Sequence, residues 1–318
     1  VRLDLLAALS GILIAAQSRV NGVLSSALGN STEAAVYSFG SGFLVLNVIA
    51  LANPKVRAGI RRIAAGVKSG DLPAWRLSAG IMGGIFVAIQ TFTVPIIGVA
   101  LLSVVMIAGQ TVASLIVDQI GITGGGKQPI TTRRVYAALI TIAAVVVAVW
   151  EEIQMANISP TPIITVFVGG FMIGVQRALN GQINDISGQS FSTTWLNFFM
   201  GTTTLLVLLI INTARGNEIV GLPTSPWWIY WGGTIGVLYI ASSSVIVAKI
   251  GVLSFTLFAT GGQLIGSLIF DFIAPPENVS VGINLLLGIL MTYLGVLVGG
   301  LRKQGSMRTK SSPNNRDN

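Results

Sequence analysis

Six residues in the first part of the chain, Gln17, Asn21, Gly22, Gly29, Phe39 and Gly42, recur at one constant offset as Gln176, Asn180, Gly181, Gly188, Phe198 and Gly201. Nine more, Pro73, Trp75, Gly80, Gly83, Gly98, Gly109, Gln110, Ser114 and Asp118, recur as Pro226, Trp228, Gly233, Gly236, Gly251, Gly262, Gln263, Ser267 and Asp271, at an offset six residues shorter. A shorter loop in the second copy accounts for the difference. Repetition in fixed register over most of a chain means two copies of one structural unit. Apolar runs between charged or Pro/Gly-rich breaks give ten candidate helices, near 4–26, 33–52, 73–95, 98–118, 133–150, 161–183, 192–212, 227–247, 252–271 and 281–301. They have roughly the 17–25 residues that span a bilayer core. The third and fourth, parted by Pro95 and Gly98, and the eighth and ninth, parted by Lys249 and Gly251, read as tight hairpins. Five helices per copy is an odd number, so the copies enter a membrane in opposite directions. Inverted repeats of this kind build the two sides of an alternating-access transporter, with the solute site near the midplane.

Composition agrees with lipid as the solvent. Charged residues make up 9% of the 318 positions and hydrophobic ones 52%, where a soluble domain carries about 25% charged. Cysteine and histidine are both absent, which excludes disulfides and removes the commonest general base and metal ligand. No catalytic set, metal site or cofactor is expected, and an intramembrane enzyme ranks last. The net charge of +8 invites a nucleic-acid reading, but the basic residues sit in loops and in the tail, where they mark a cytoplasmic rim. With the N-terminus inside, one cytoplasmic loop carries Lys55, Arg57, Arg61, Arg62 and Lys68, and the next carries Lys127, Arg133 and Arg134. The tail adds Arg302, Lys303, Arg308, Lys310 and Arg316. The other side has Arg215 as its one basic loop residue, beside Glu33, Glu151, Glu152, Glu218 and Glu277. Both termini are therefore expected in the cytoplasm. The run Leu5–Ala16 has the length of a leader, yet it recurs in mid-chain and reads as the first span.

Ala16-Gln17-Ser18-Arg19-Val20-Asn21-Gly22, followed by Ser38-Phe39-Gly40-Ser41-Gly42, resembles the YdcZ-type inner-membrane exporters of the drug/metabolite transporter superfamily. Gly109-Gln110 followed by Ser114 and Asp118 carries the same resemblance, which covers nearly all of residues 3–301. It implies ten helices in two inverted bundles, a central cavity and secondary transport without ATP hydrolysis. The small multidrug-resistance relatives couple to protons through a glutamate in their first helix. The matching helices here carry Gln17 and Gln176, which puts that coupling in doubt.

Polar groups inside apolar runs are the candidates for function. Gln17 and Asn21 stand four apart and share a helix face, as do Gln176 and Asn180. An amide in hydrocarbon needs a partner, so these face the protein interior, as a solute site or as interhelical glue. Gln110, Ser114 and Asp118 line one side of the fourth helix, and Gln263, Ser267 and Asp271 the matching side of the ninth. The aspartates fall at helix ends, where capping or solvation competes with an ion path. Arg19 and Arg177 are the basic residues well inside a span, free either to snorkel to an interface or to bind an anion or an acid. Depth matches Arg19 with Asp271 and Arg177 with Asp118, pairs that would gate alternately. Small-xxx-small spacings, such as Gly80–Gly84 and Gly232–Gly236, let helices pack closely. Gly124-Gly125-Gly126 precedes no Lys-Ser/Thr, so it is not a phosphate loop. Trp75, Trp227 and Trp228 sit at helix starts, as interfacial anchors do.

The expectation is an all-α membrane protein of ten transmembrane helices, with repeats at 1–152 and 153–302 and a polar cytoplasmic tail at 303–318. It is expected in a bacterial inner membrane, moving a small organic solute by alternating access, outward. Gln17, Asn21, Gln176, Asn180, Gln110, Gln263, Ser114 and Ser267 form the expected cavity set; Arg19, Arg177, Asp118 and Asp271 form the gating or ion-coupling set. The rivals are a scaffold or regulatory subunit on the same fold, and a lipid flippase with a laterally open groove. Coupling to a proton or another ion, and the oligomeric state, stay open.

Overall fold

The computed structural model describes residues 2–122, 130–154, 159–223, 226–250, 252–275 and 281–300. Within its helices the side chains of 118, 151–154, 241, 244–245, 247–250, 252–254, 257 and 300 are not described. The expectations for Gly124–Gly126, Lys127, Gly251, Glu277 and the segment 302–318 therefore lie outside the described residues, and those for Asp118, Glu151, Glu152 and Lys249 outside the described side chains.

The described chain is all-helical: α1 (Leu3–Leu28), α2 (Ser31–Ala52), α3 (Pro54–Ser69), α4 (Ser78–Ile120), α5 (Thr132–Gln154), α6 (Pro160–Ser187), α7 (Ser190–Ala214), α8 (Gly232–Ile250), α9 (Val252–Ile273) and α10 (Ile283–Gly300). Two 3-10 turns, Ala74–Leu77 and Trp227–Trp231, precede α4 and α8 at repeat-related positions, and they expose Trp75, Trp227 and Trp228. Six stretches are long and apolar enough to cross a membrane, Ala74–Val117 counted as one, and Phe258–Ile273 and Ile283–Gly299 are shorter apolar ones. Outward faces are apolar: Leu44, Val48 and Leu51 on α2 are 68%, 66% and 75% exposed. Water would penalise such a stripe; hydrocarbon does not.

α4 is a hairpin rather than a rod. A Cβ on Gly83 would lie 2.5 Å from Gln176 Nε2, and one on Gly174 would lie 2.5 Å from Ala113 Cβ. Positions 83 and 113 thus meet α6 within one turn of each other, whereas a straight helix holds them about 45 Å apart. The fold-back is at Gly98, whose φ of 77° and ψ of 176° suit a residue without a Cβ. Asp271 completes the turn. Its carboxylate accepts hydrogen bonds from the backbone N–H of Val99 at 2.9 Å and of Ala100 at 2.6 Å, the first free donors of the second arm.

α6 therefore lies between the two arms of α4. The repeat-related contact is made by α1 between α8 and α9, with a Cβ on Gly236 falling 2.8 Å from Gln17 Nε2 and one on Gly266 3.3 Å from Ile12 and Ala15. Each copy inserts its first helix into the hairpin of the other, so the copies interlock. Phe39 stacks on its own repeat counterpart Phe198, with ring centroids 4.7 Å apart. A Cβ on Gly42 would strike the Phe198 ring at 2.3 Å, and one on Gly201 the Phe39 ring at 2.4 Å. A residue touching its own counterpart, with matched neighbours, marks a pseudo-two-fold axis. α5 and α10 pack together to one side, Gly295 against Thr141 and Gly288 against Ala148.

One expectation is corrected. The basic segment after α2 is helix α3, not a loop. Asn53 accepts from Lys55 N, Pro54 opens the first turn, and Val56, Gly59, Ile63 and Gly66 are buried along one face. Val56 O receives Ser192 Oγ, and Arg62 donates to Ser187 O at the end of α6. The density of Lys and Arg obscured this helical period.

Candidate functional site

A cavity of about 700 Å³ lies beside the Phe39–Phe198 pair. Gln17, Gln110, Gln176, Asn180 and Gln263, five members of the expected set, line it together with Gln90, Asn184 and Asn197. A smaller cavity of about 330 Å³ adjoins it, shares Gln110, Arg177, Tyr239 and Gln263, and adds Ser114 and Arg134. Asn21 and Ser267 are not on either lining. Both are fully buried, Asn21 hydrogen-bonded to Gln90 and Ser267 Oγ to Leu264 O.

Local helix geometry sets the lining. Ile173, Gln176, Arg177, Asn180 and Asn184 follow helical spacing on one face of α6, where α6 passes α4. Gly83 leaves the room that Gln176 fills, as Gly236 does for Gln17. Gln176 Nε2 donates to Ala79 O at 2.8 Å and to Asn197 Oδ1 at 3.1 Å. Asn197 Nδ2 in turn donates to Asn180 Oδ1 and Thr193 O, both at 2.8 Å. Such a chain fixes amides that would otherwise rotate, and leaves the Asn180 NH₂ facing the cavity.

The ends of the bundle differ. Toward the Gly98 turn, Gln90 donates to Ser18 Oγ and accepts from Asn21 Nδ2, both at 2.8 Å, and all three are buried. Val94, Ile97 and Val99–Leu102 are buried above them. Toward α3 the lining continues through Asn184 and Ser190, and Gly181 is exposed. The cavity is sealed at the Gly98 end and reaches the α3 end.

The gating set is only partly brought together. Among the described residues the one ion pair within 4.0 Å is Arg2–Asp4. Asp271 spends both oxygens on the Gly98 turn and forms no salt bridge with Arg19. Arg177 lines both cavities. The Asp118 side chain is outside the description.

Sequence reasoning missed Gln90 and Asn197. Both are amides inside apolar runs, the criterion that found Gln17. Their repeat positions hold Ser243 and Ser38, so a search for repeated amides passed over them. No group of His, Cys, Asp and Glu able to hold a metal occurs among the described residues.

A family model described as "Putative inner membrane exporter, YdcZ" matches residues 3–147 and 161–298. No curated protein and no solved structure matches the chain.

Proposed function

The chain belongs to the YdcZ family of inner-membrane exporters, and from that premise we propose a secondary transporter that moves a small polar organic solute outward by alternating access. The family is one of multi-pass membrane exporters rather than enzymes. Our reading has ten membrane passes in two inverted five-helix repeats, 1–152 and 153–302, counting each arm of α4 as a pass. The supporting observation is the convergence of Gln17 and Gln176, Gln110 and Gln263 on one cavity beside the pseudo-two-fold axis. Repeat-related side chains meeting in one space are what a midplane site between inverted repeats requires.

Our reading has the α3 end, and with it both termini, toward the cytoplasm, and the basic face of α3 supports it through the positive-inside rule. On that orientation this conformation accepts solute from inside. Rocking the interlocked hairpins about the Phe39–Phe198 contact would seal the α3 end and open the Gly98 end. Cells making the chain, cells lacking it and cells making Gln17→Ala/Gln176→Ala should be compared by untargeted metabolite profiling of the medium. At least one small polar solute should accumulate outside only with the wild-type chain. Identical profiles in all three would sink the reading.

A further inference from the structure

We propose that the transported solute carries a small oxyanionic group, a carboxylate or a phosphate, and that Arg177 binds it; this rests on the transport reading above. Arg177 lines both cavities and is exposed into them, and among the described residues it makes no hydrogen bond and no ion pair. Among the described residues lining the two cavities there is no Asp or Glu. A guanidinium offers five N–H donors in a planar fork that matches carboxylate and phosphate oxygens two at a time.

The neighbours suit the same ligand. Among the described residues Gln17 and Gln110, on the lining of the larger cavity, have no hydrogen-bond partner, and Asn180 has its NH₂ unspent. These amides can donate to the remaining oxygens. Arg134 also borders the smaller cavity, with one N–H directed to Ser114 O at 3.2 Å.

The repeat sharpens the assignment. Arg177 occupies the position that Ser18 holds in the first copy, and Ser18 is buried, accepting from Gln90. A serine satisfies the fold at this position. The arginine is therefore an addition of the second copy on the open side of the site.

The test uses the purified full chain in an uncharged detergent at fixed ionic strength. The probes are succinate, its neutral diamide succinamide, and inorganic phosphate. Succinate or phosphate should raise the melting temperature by about 3 °C or more near saturation, and succinamide should not. Which of the two acts distinguishes carboxylate from phosphate. R177Q should weaken the effective anion by about tenfold or more, while R177K retains part of it. Succinamide protecting as well as succinate, an unchanged response in R177Q, or no response to either anion would each overturn the proposal. The contrast between succinate and succinamide needs no variant, so a poorly folding R177Q leaves the test intact. Protection by succinamide that Gln176→Ala removes would overturn the anion while leaving the transport reading standing, and the metabolite comparison decides that reading by itself.

Discussion

Ser18, Asn21 and Gln90 occupy in one copy the positions that Arg177, Asn180 and Ser243 occupy in the other, and the two trios are differently exposed. The first is buried and linked by two hydrogen bonds of 2.8 Å, and only its Gln90 reaches the cavity lining. All members of the second face the cavity. The two trios hold matching repeat positions, so the difference lies in the side chains and in how their helices pack. A long amide at 90 bridges α1, whereas the short Ser243 leaves a gap that Arg177 faces. One scaffold used twice thus yields a sealed end and an open end. Our reading of alternating access requires the first trio to be able to part, and its amide bonds set what that costs.

The largest effect should come from the glycines that let the helices cross. A Cβ on Gly233 would lie 2.0 Å from Ser38 O and 2.5 Å from Gly42 N, while one on its counterpart Gly80 would meet Met200 Cβ at 2.5 Å and Asn197 O at 3.0 Å. Gly233→Ala should cost more than the about 1–3 kcal/mol usual for overpacking and leave little monodisperse protein. Gly80→Ala should lose less. Equal yields by size-exclusion chromatography would show the two ends to be equally tight.

Asp271 comes next. Asp271→Ala leaves two buried N–H groups unpaired, for a loss of about 2–4 kcal/mol. Asp271→Asn keeps one acceptor and should lose about half as much. Thermal unfolding of the purified variants measures both. If Asp271→Ala melts like wild type, water serves the Gly98 turn and the seal is looser than described.

Accessibility gives a direct comparison, because the chain has no cysteine of its own. Arg177→Cys should react with a membrane-impermeant maleimide on inverted vesicles about tenfold faster than Ser18→Cys, its repeat counterpart. Similar rates would erase the difference between the ends. The smallest effect is expected from Gln90→Ala in the Ser18→Cys background. Losing the bridge of amides, each bond worth about 0.6–2 kcal/mol, should raise labelling at 18 about threefold from the opposite face. No change would make the trio packing rather than a latch.

Much of the architecture was legible because it is written locally. The hairpin at Pro95–Gly98, the Trp-bearing helix starts and the amides at 17 and 176 all follow from what hydrocarbon excludes. The fold kept α1 at Leu3–Leu28 and α2 at Ser31–Ala52, close to the expected spans. α3 was missed because five basic residues within 55–68 drew attention to charge rather than to the period of Val56, Ile63 and their buried neighbours.

The sequence by itself determined the membrane class, the repeat and the pool of polar residues that cannot face lipid, since each depends on composition and on spacing within one helix. Only the tertiary structure decided which of those residues share a space. Asn21 and Asn180 are equivalent in sequence, yet one is sealed against Gln90 and the other borders the cavity. Asp271 reads as a candidate gate until α4 is seen to break beside it, with both carboxylate oxygens on its amides. Such outcomes depend on contacts between segments 69 and 171 positions apart. A helical period carries no information about the partner across the interface.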